Sequence, residues 1–120
     1  MSESQAWPTD IRVSRQERRL DISFDDGRQF SLPAELLRVE SPSAEVQGHG
    51  ADPKRIVAGK RHVGIAGVEP VGNYAVRILF DDGHDTGLYS WAYLYELGTG
   101  QEAIWQRYLD ALAQQGLSRD

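Results

Sequence analysis

The chain has no cysteine in its 120 residues. That excludes disulfides, thiolate nucleophiles, and any cysteine-ligated zinc or iron–sulfur site supplied by this chain alone. It also agrees with a cytoplasmic location, which is the expected one. No apolar run approaches the ~20 residues that a membrane-spanning helix needs. The opening stretch MSESQAWPTD lacks a basic n-region and an apolar h-region, so it is not expected to act as a secretory signal. Positive charge is in short supply: 13 Lys and Arg against 18 Asp and Glu leave a formal net charge of −5. Nucleic-acid binding needs clustered cations, so nucleic acid is not an expected partner. Two short basic stretches, Arg12/Arg15/Arg18/Arg19 and Lys54/Arg55/Lys60/Arg61, read as solvated surface, with an anion site as the alternative.

What is present describes one ordinary globular domain over residues 1–120, with 40% hydrophobic and 26% charged residues. The tetrapeptide FDDG occurs twice, at Phe24–Gly27 and Phe80–Gly83. Each copy follows an alternating apolar stretch: Leu20, Ile22 and Phe24 in the first, Tyr74, Val76, Ile78 and Phe80 in the second. This is the period of a half-buried strand. The acidic-glycine step supplies a hairpin turn. A returning strand and a short helix follow, Ala34–Arg38 in the first unit and Trp91–Leu97 in the second. Ser90 is the expected N-cap of the second helix and Gly98 its stop. Ile11 and Val13 predict an opening strand.

Residues 41–62 are rich in Gly and Pro and predict an irregular loop, often a functional or mobile feature at that length. Ile56 and Val57 are its expected anchors. Thr99 and Glu102 match a capping box for a last helix that presents Ile104, Trp105, Tyr108, Leu109 and Leu112 on one face. The predicted fold is α+β: a mainly antiparallel sheet from two related β-hairpin-plus-short-helix units, with a C-terminal amphipathic helix packed on it. The core spans about 8–98 and the helix about 100–115.

Chemistry is thinly signalled. His84 beside Asp85 fits a metal ligand or an oriented base, but a turn hydrogen bond explains it equally simply. His49, His62 and Asp52 offer a weak metal set of no diagnostic spacing. The pairs Asp25–Asp26 and Asp81–Asp82 point to opposite faces of a strand, and turn formation accounts for them. Ser41 and Ser43 lack a nucleophile-elbow context, and no phosphate-binding glycine loop occurs. Tyr89, Trp91, Tyr93 and Tyr95 form an aromatic run that a short helix spreads over more than one face, a candidate contact surface.

Three stretches together carry a family likeness: Leu20-x-Ile22-x-Phe24-x-Asp26-Gly27, Leu32-Pro33-x-Glu35-x-Leu37-Arg38 with Ser41-Pro42-Ser43-Ala44-Glu45, and Phe80-x-Asp82-Gly83-His84-x-x-Gly87-x-Tyr89-Ser90-Trp91-x-x-Leu94. From about Pro8 to Gly98 the chain resembles the gamma-butyrobetaine hydroxylase-like N-terminal domain, in its small bacterial stand-alone form of unknown function. In the hydroxylases this domain precedes a separate iron- and 2-oxoglutarate-dependent catalytic domain and holds a zinc through three cysteines and a histidine. The resemblance places the histidine at His84 and the cysteine positions at Ser41, Ser43 and Val46, a degenerate zinc site with no thiolate left, so no metal or cofactor is expected. Related domains occur fused to ATPases of iron–sulfur cluster assembly, which implies a protein partner. These 120 residues hold no facial-triad motif of the oxygenase catalytic domain, and an enzyme is not expected. The reading is thus a non-catalytic interaction or accessory module serving a metal- or iron–sulfur-related enzyme, with partner-binding candidates His84, Tyr89, Trp91, Tyr93 and Tyr95. The alternative is a metal-binding accessory domain using His84.

Overall fold

The structure, a computed structural model, describes residues 6–48 and 54–120. Strands β1 (Pro8–Ser14), β2 (Arg19–Phe24) and β3 (Gln29–Pro33) form an antiparallel sheet in that order, and helix α1 (Ala34–Val39) follows directly. A short helix α2 (Ala44–Gln47) interrupts the irregular connection. Strands β4 (Ile65–Val71), β5 (Ala75–Phe80) and β6 (Leu88–Ser90) repeat the arrangement, again antiparallel and in order, and lead into helix α3 (Trp91–Thr99). Helix α4 (Gln101–Gln114) comes last.

The α+β class and the two hairpin-plus-helix units stand, but a single shared sheet does not: the ladders close into two three-stranded sheets. Each unit brings its own third strand, so neither hairpin needs the other's edge. The sheets join through side chains. Leu20, Ile22, Phe24 and Leu32 from the first meet Ile65, Val76, Ile78, Phe80 and Tyr89 from the second in one buried cluster. Where β1 nears β4, Arg15 donates to the Ala66 carbonyl at 2.8 Å.

Both FDDG turns place their glycine in the left-handed region, Gly27 at φ 90° and Gly83 at φ 92°, which explains the residue type. Gly98, expected as a helix stop, instead lies inside α3. A Cβ there would run into the Phe30 ring, so its role is close approach. The expected Thr99 cap also fails. Thr99 is the last residue of α3 and donates to the Glu96 carbonyl, while Gly100 is the N-cap of α4 without a side-chain bond. The two helices abut so closely that Gly100 ends one and starts the next, which leaves no separate capping turn. Ser90 does cap α3, accepting from the Tyr93 N–H at 3.1 Å.

Helix α4 buries Ile104, Tyr108 and Leu112. Ile104 joins the main cluster, whereas Tyr108 and Leu112 pack with Val39 against Ile56, Val57 and Ala58. The Tyr108 hydroxyl donates to the Val57 carbonyl at 2.5 Å, and burial pushes it up to about 12. The two expected anchors of the long connection are thus held by α4. No helix among the described residues is long and apolar enough to cross a membrane.

Candidate functional site

Four elements meet at the second FDDG turn: the end of α1, the Ser41–Ser43 link, α2 and the turn itself. The turn is built from within. Phe80 N–H donates to the His84 carbonyl at 3.0 Å, and His84 N–H donates to Asp82 Oδ1 at 3.0 Å. This fixes His84 just past the turn, with its imidazole facing inward and only 3% exposed.

Ser41 follows α1 and is fully buried. Its Oγ lies 2.9 Å from His84 Nε2, and Ser43 Oγ lies 3.5 Å from the same nitrogen. Glu45, in the first turn of α2, puts Oε1 3.1 Å from His84 Nδ1 and accepts from Thr86 Oγ1 at 3.2 Å. Gly87 makes the approach possible, because a Cβ there would lie 2.5 Å from Ser41 Oγ. Burial, and then the nearby Arg38 cation, lower the affinity of His84 for a proton, partly offset by Glu45 and Asp82. At neutral pH the ring is therefore uncharged.

Arg38 and Lys60 both donate to Asp82 Oδ2, at 2.8 and 2.6 Å. Burial alone would raise the Asp82 pKa, but bonds from Lys60, the His84 backbone and Arg38 outweigh it and hold the carboxyl well below its ordinary range. Beside these groups lies a cavity of about 810 Å³ between α2 and the 54–57 segment, with His84 and Arg38 in its wall.

The connectivity Ser41–His84–Glu45 is that of a serine, base and orienting carboxylate. Its use as a nucleophile meets two obstacles. Ser41 is fully buried, and its Oγ already accepts from the Ser43 N–H at 3.3 Å. The four positions at which the resemblance places the family's zinc ligands offer no fitting donor set. Ser41 and Ser43 bring neutral hydroxyls that spend themselves on His84 Nε2, Val46 brings no donor, and Nδ1 is taken by Glu45. Among the described residues no group of three or more His, Asp or Glu is arranged to hold a metal.

The other sequence candidates separate from this cluster. His62 is exposed in a turn, while His49 and Asp52 lie outside the described residues. Tyr89 is fully buried, donating to the Leu37 carbonyl at 2.5 Å, and Trp91 is buried, donating Nε1–H to the Asn73 carbonyl at 2.9 Å. Tyr89 and His84 are core groups, which corrects their expected place on a contact surface, while Trp91 keeps an edge in the groove where β1 nears β4. Tyr93 and Tyr95 are half-buried. Tyr93 donates to the Glu40 carbonyl and Tyr95 to Asp26 Oδ2. The alternation that buries Tyr89 on β6 is too short, at three residues, to declare itself in the sequence. Sequence reasoning missed Arg38, Glu45 and Asp82 as site members. Asp82 repeats Asp26, so the turn explained it fully, and nothing in the spacing marked the other two.

The comparisons agree with this architecture. Residues 11–95 match the family described as gamma-butyrobetaine hydroxylase-like, N-terminal. The chain belongs to this family. Two solution NMR structures resemble it closely. One, at 48% identity and TM-score 0.85, covers 98% of this chain and 92% of its own. The other, at 50% identity and TM-score 0.82, covers 99% and 90%. A crystal structure of a protein of unknown function from Acidithiobacillus ferrooxidans is 39% identical with TM-score 0.67, covering 81% of this chain and 98% of that one. No curated protein matches.

Proposed function

We propose that this gamma-butyrobetaine hydroxylase-like N-terminal domain is a non-catalytic accessory module that docks onto another protein, an enzyme handling a metal or an iron–sulfur cluster. The observation that carries the reading is an apolar groove of about 870 Å³ where β1 nears β4, lined by Ile11, Val13, Val68, Pro70, Val76 and Trp91. Both flanking strands are sheet edges. Unpaired backbone groups beside an apolar lining suit an extended segment of a partner. The buried hydroxyl of Ser41 speaks against catalysis at the polar cluster. The class of partner rests on the family resemblance alone.

The test is affinity capture from the native organism with cross-link mapping, using the full chain and a Val68→Glu variant of unchanged circular dichroism. The reading expects a metal or iron–sulfur enzyme cross-linked to β1 or β4 and lost with Val68→Glu. The same proteins retained by both chains would refute it. The rival, a metal-binding accessory role for His84, has its own measurement. Purified chain is expected to carry no stoichiometric zinc, and EDTA to leave its Tm unchanged, because the three thiolate positions hold two neutral hydroxyls and a valine, which has no donor atom. About one zinc per chain, lost in His84→Ala, would put the rival first.

A further inference from the structure

We propose that the cavity between α2 and the 54–57 segment binds a small organic monoanion, a short-chain carboxylate, through Arg38 and Arg55. The inference goes beyond the docking reading, and the cavity shares no residue with the groove between β1 and β4.

Arg38 is the first reason. Its side chain is 12% exposed, and Nε is spent on Asp82. Its Nη1 is buried and has no partner among the described residues. A buried guanidinium N–H left without an acceptor is costly, and Arg38 stands in the cavity wall, from which a small turn of its side chain would bring this N–H to a bound oxygen. A carboxylate meets a guanidinium with two acceptors in matching geometry.

The surrounding charge is the second. Lys54 and Arg55 line the same cavity. Lys54 is already paired with Glu40 at 2.7 Å, whereas Arg55 is exposed and takes part in none of the ion pairs among the described residues. In a chain of net charge −5, three cations on one cavity are a local reversal. Glu45 stands on the opposite account, with its carboxylate tied to His84 and Thr86. It repels a multiply charged ligand more than a singly charged one, which selects a monoanion. The ring of His84 brings shape rather than charge, since its proton affinity is lowered. Val46, Ile56 and Val57 complete the wall and give a short apolar body somewhere to rest.

The experiment is an amide and Arg Nε–Hε NMR titration of the full chain with acetate, butyrate and inorganic phosphate at constant ionic strength. The expected result is saturable shifts confined to Arg38 Nε–Hε and to residues 44–48 and 54–57. Butyrate should bind about three- to ten-fold tighter than acetate, from partial burial of two methylenes. Arg55→Gln and Arg38→Lys should each weaken butyrate at least five-fold with the rest of the spectrum unmoved; the lysine keeps the charge but loses the forked donor. If Arg38→Lys does not fold, Arg55→Gln decides alone. Linear shifts spread over surface cations, equal affinity in the variants, or phosphate binding tighter than butyrate would overturn the proposal.

Discussion

The two FDDG turns are the same device under different loads. Phe24 N–H donates to the Arg28 carbonyl at 2.9 Å, as Phe80 N–H does to the His84 carbonyl at 3.0 Å. Asp26 Oδ1 accepts from the Arg28 N–H, as Asp82 Oδ1 does from the His84 N–H. Asp25 exchanges two bonds with the Trp7 backbone just before β1, and Asp81 exchanges two with Gly64 just before β4. Even the crossing contacts correspond. Asp82 is held by Arg38 from α1, and Asp26 by Tyr95 from α3. Both residues are the fifth of their helices, counted from Ala34 and Trp91. What differs is the cover. Arg28 is exposed, 5.9 Å from the Tyr95 ring, whereas His84 lies beneath Ser41 and α2. The frame is repeated, and the polar site exists where Ser41, Ser43 and α2 cover one copy of it.

The comparison is most strongly tested in the core, where it predicts equality. Leu37 and Leu94 occupy matching places in α1 and α3, and both are fully buried. Leu37→Ala and Leu94→Ala should each cost about 2–5 kcal/mol in denaturant unfolding. A large loss for one and almost none for the other would deny that the units share one core.

At the residue after each turn the comparison predicts inequality. Arg28→Ala removes an exposed side chain and should leave the midpoint nearly unmoved. His84→Ala strands the buried Ser41 and Ser43 hydroxyls and should cost about 1–3 kcal/mol. Chemical denaturation of both variants checks this, and equal losses would mean the cover over His84 contributes nothing. At the glycines, equality returns. Gly27 and Gly83 have φ near +90° with no atom in the way of a Cβ, so the cost of alanine is purely conformational. Each Gly→Ala change should destabilise by about 1 kcal/mol. Unequal losses would show that one turn relaxes and the other does not.

How far the sequence reached follows from the same comparison. The FDDG repeat exposed both hairpins, since alternation and turn chemistry are local signals. The face of α4 was legible for the same reason: Ile104, Tyr108 and Leu112 are buried as their spacing requires. The split into two sheets was not legible, because nothing local tells a strand which edge it leaves open. Nor was the cap of α4. The Thr99–Glu102 pattern is a valid capping box, but α3 runs on through Thr99 to Gly100. At the site, the family likeness brought Ser41, Ser43 and His84 onto one list, and the fold places them in contact. Glu45 and Arg38 escaped because each meets its partner across about forty residues, at a spacing that no periodicity encodes.

The smallest expected effect, and the one specific to the second unit, is on pH. The residue after the first turn is Arg28, whereas its counterpart after the second, His84, is an imidazole with an ordinary pKa near neutrality. Burial and Arg38 lower the folded pKa of His84 below its ordinary 6.5. A base of depressed folded pKa contributes full stability above its unfolded value. As pH falls through about 6.5 the unfolded chain takes up the proton first, so stability declines until the folded pKa is passed. Asp82 acts in the same direction in a separate window, its contribution present above the ordinary 3.8 and lost only below it. Between pH 7.5 and 5.5 the histidine term therefore stands apart from that carboxylate. Tm should fall over this range, and His84→Gln, which keeps a hydrogen-bonding side chain but cannot protonate, should flatten the decline. Parallel pH profiles for the two chains would show that His84 is as free to take a proton in the fold as out of it, and that its cover leaves it in water.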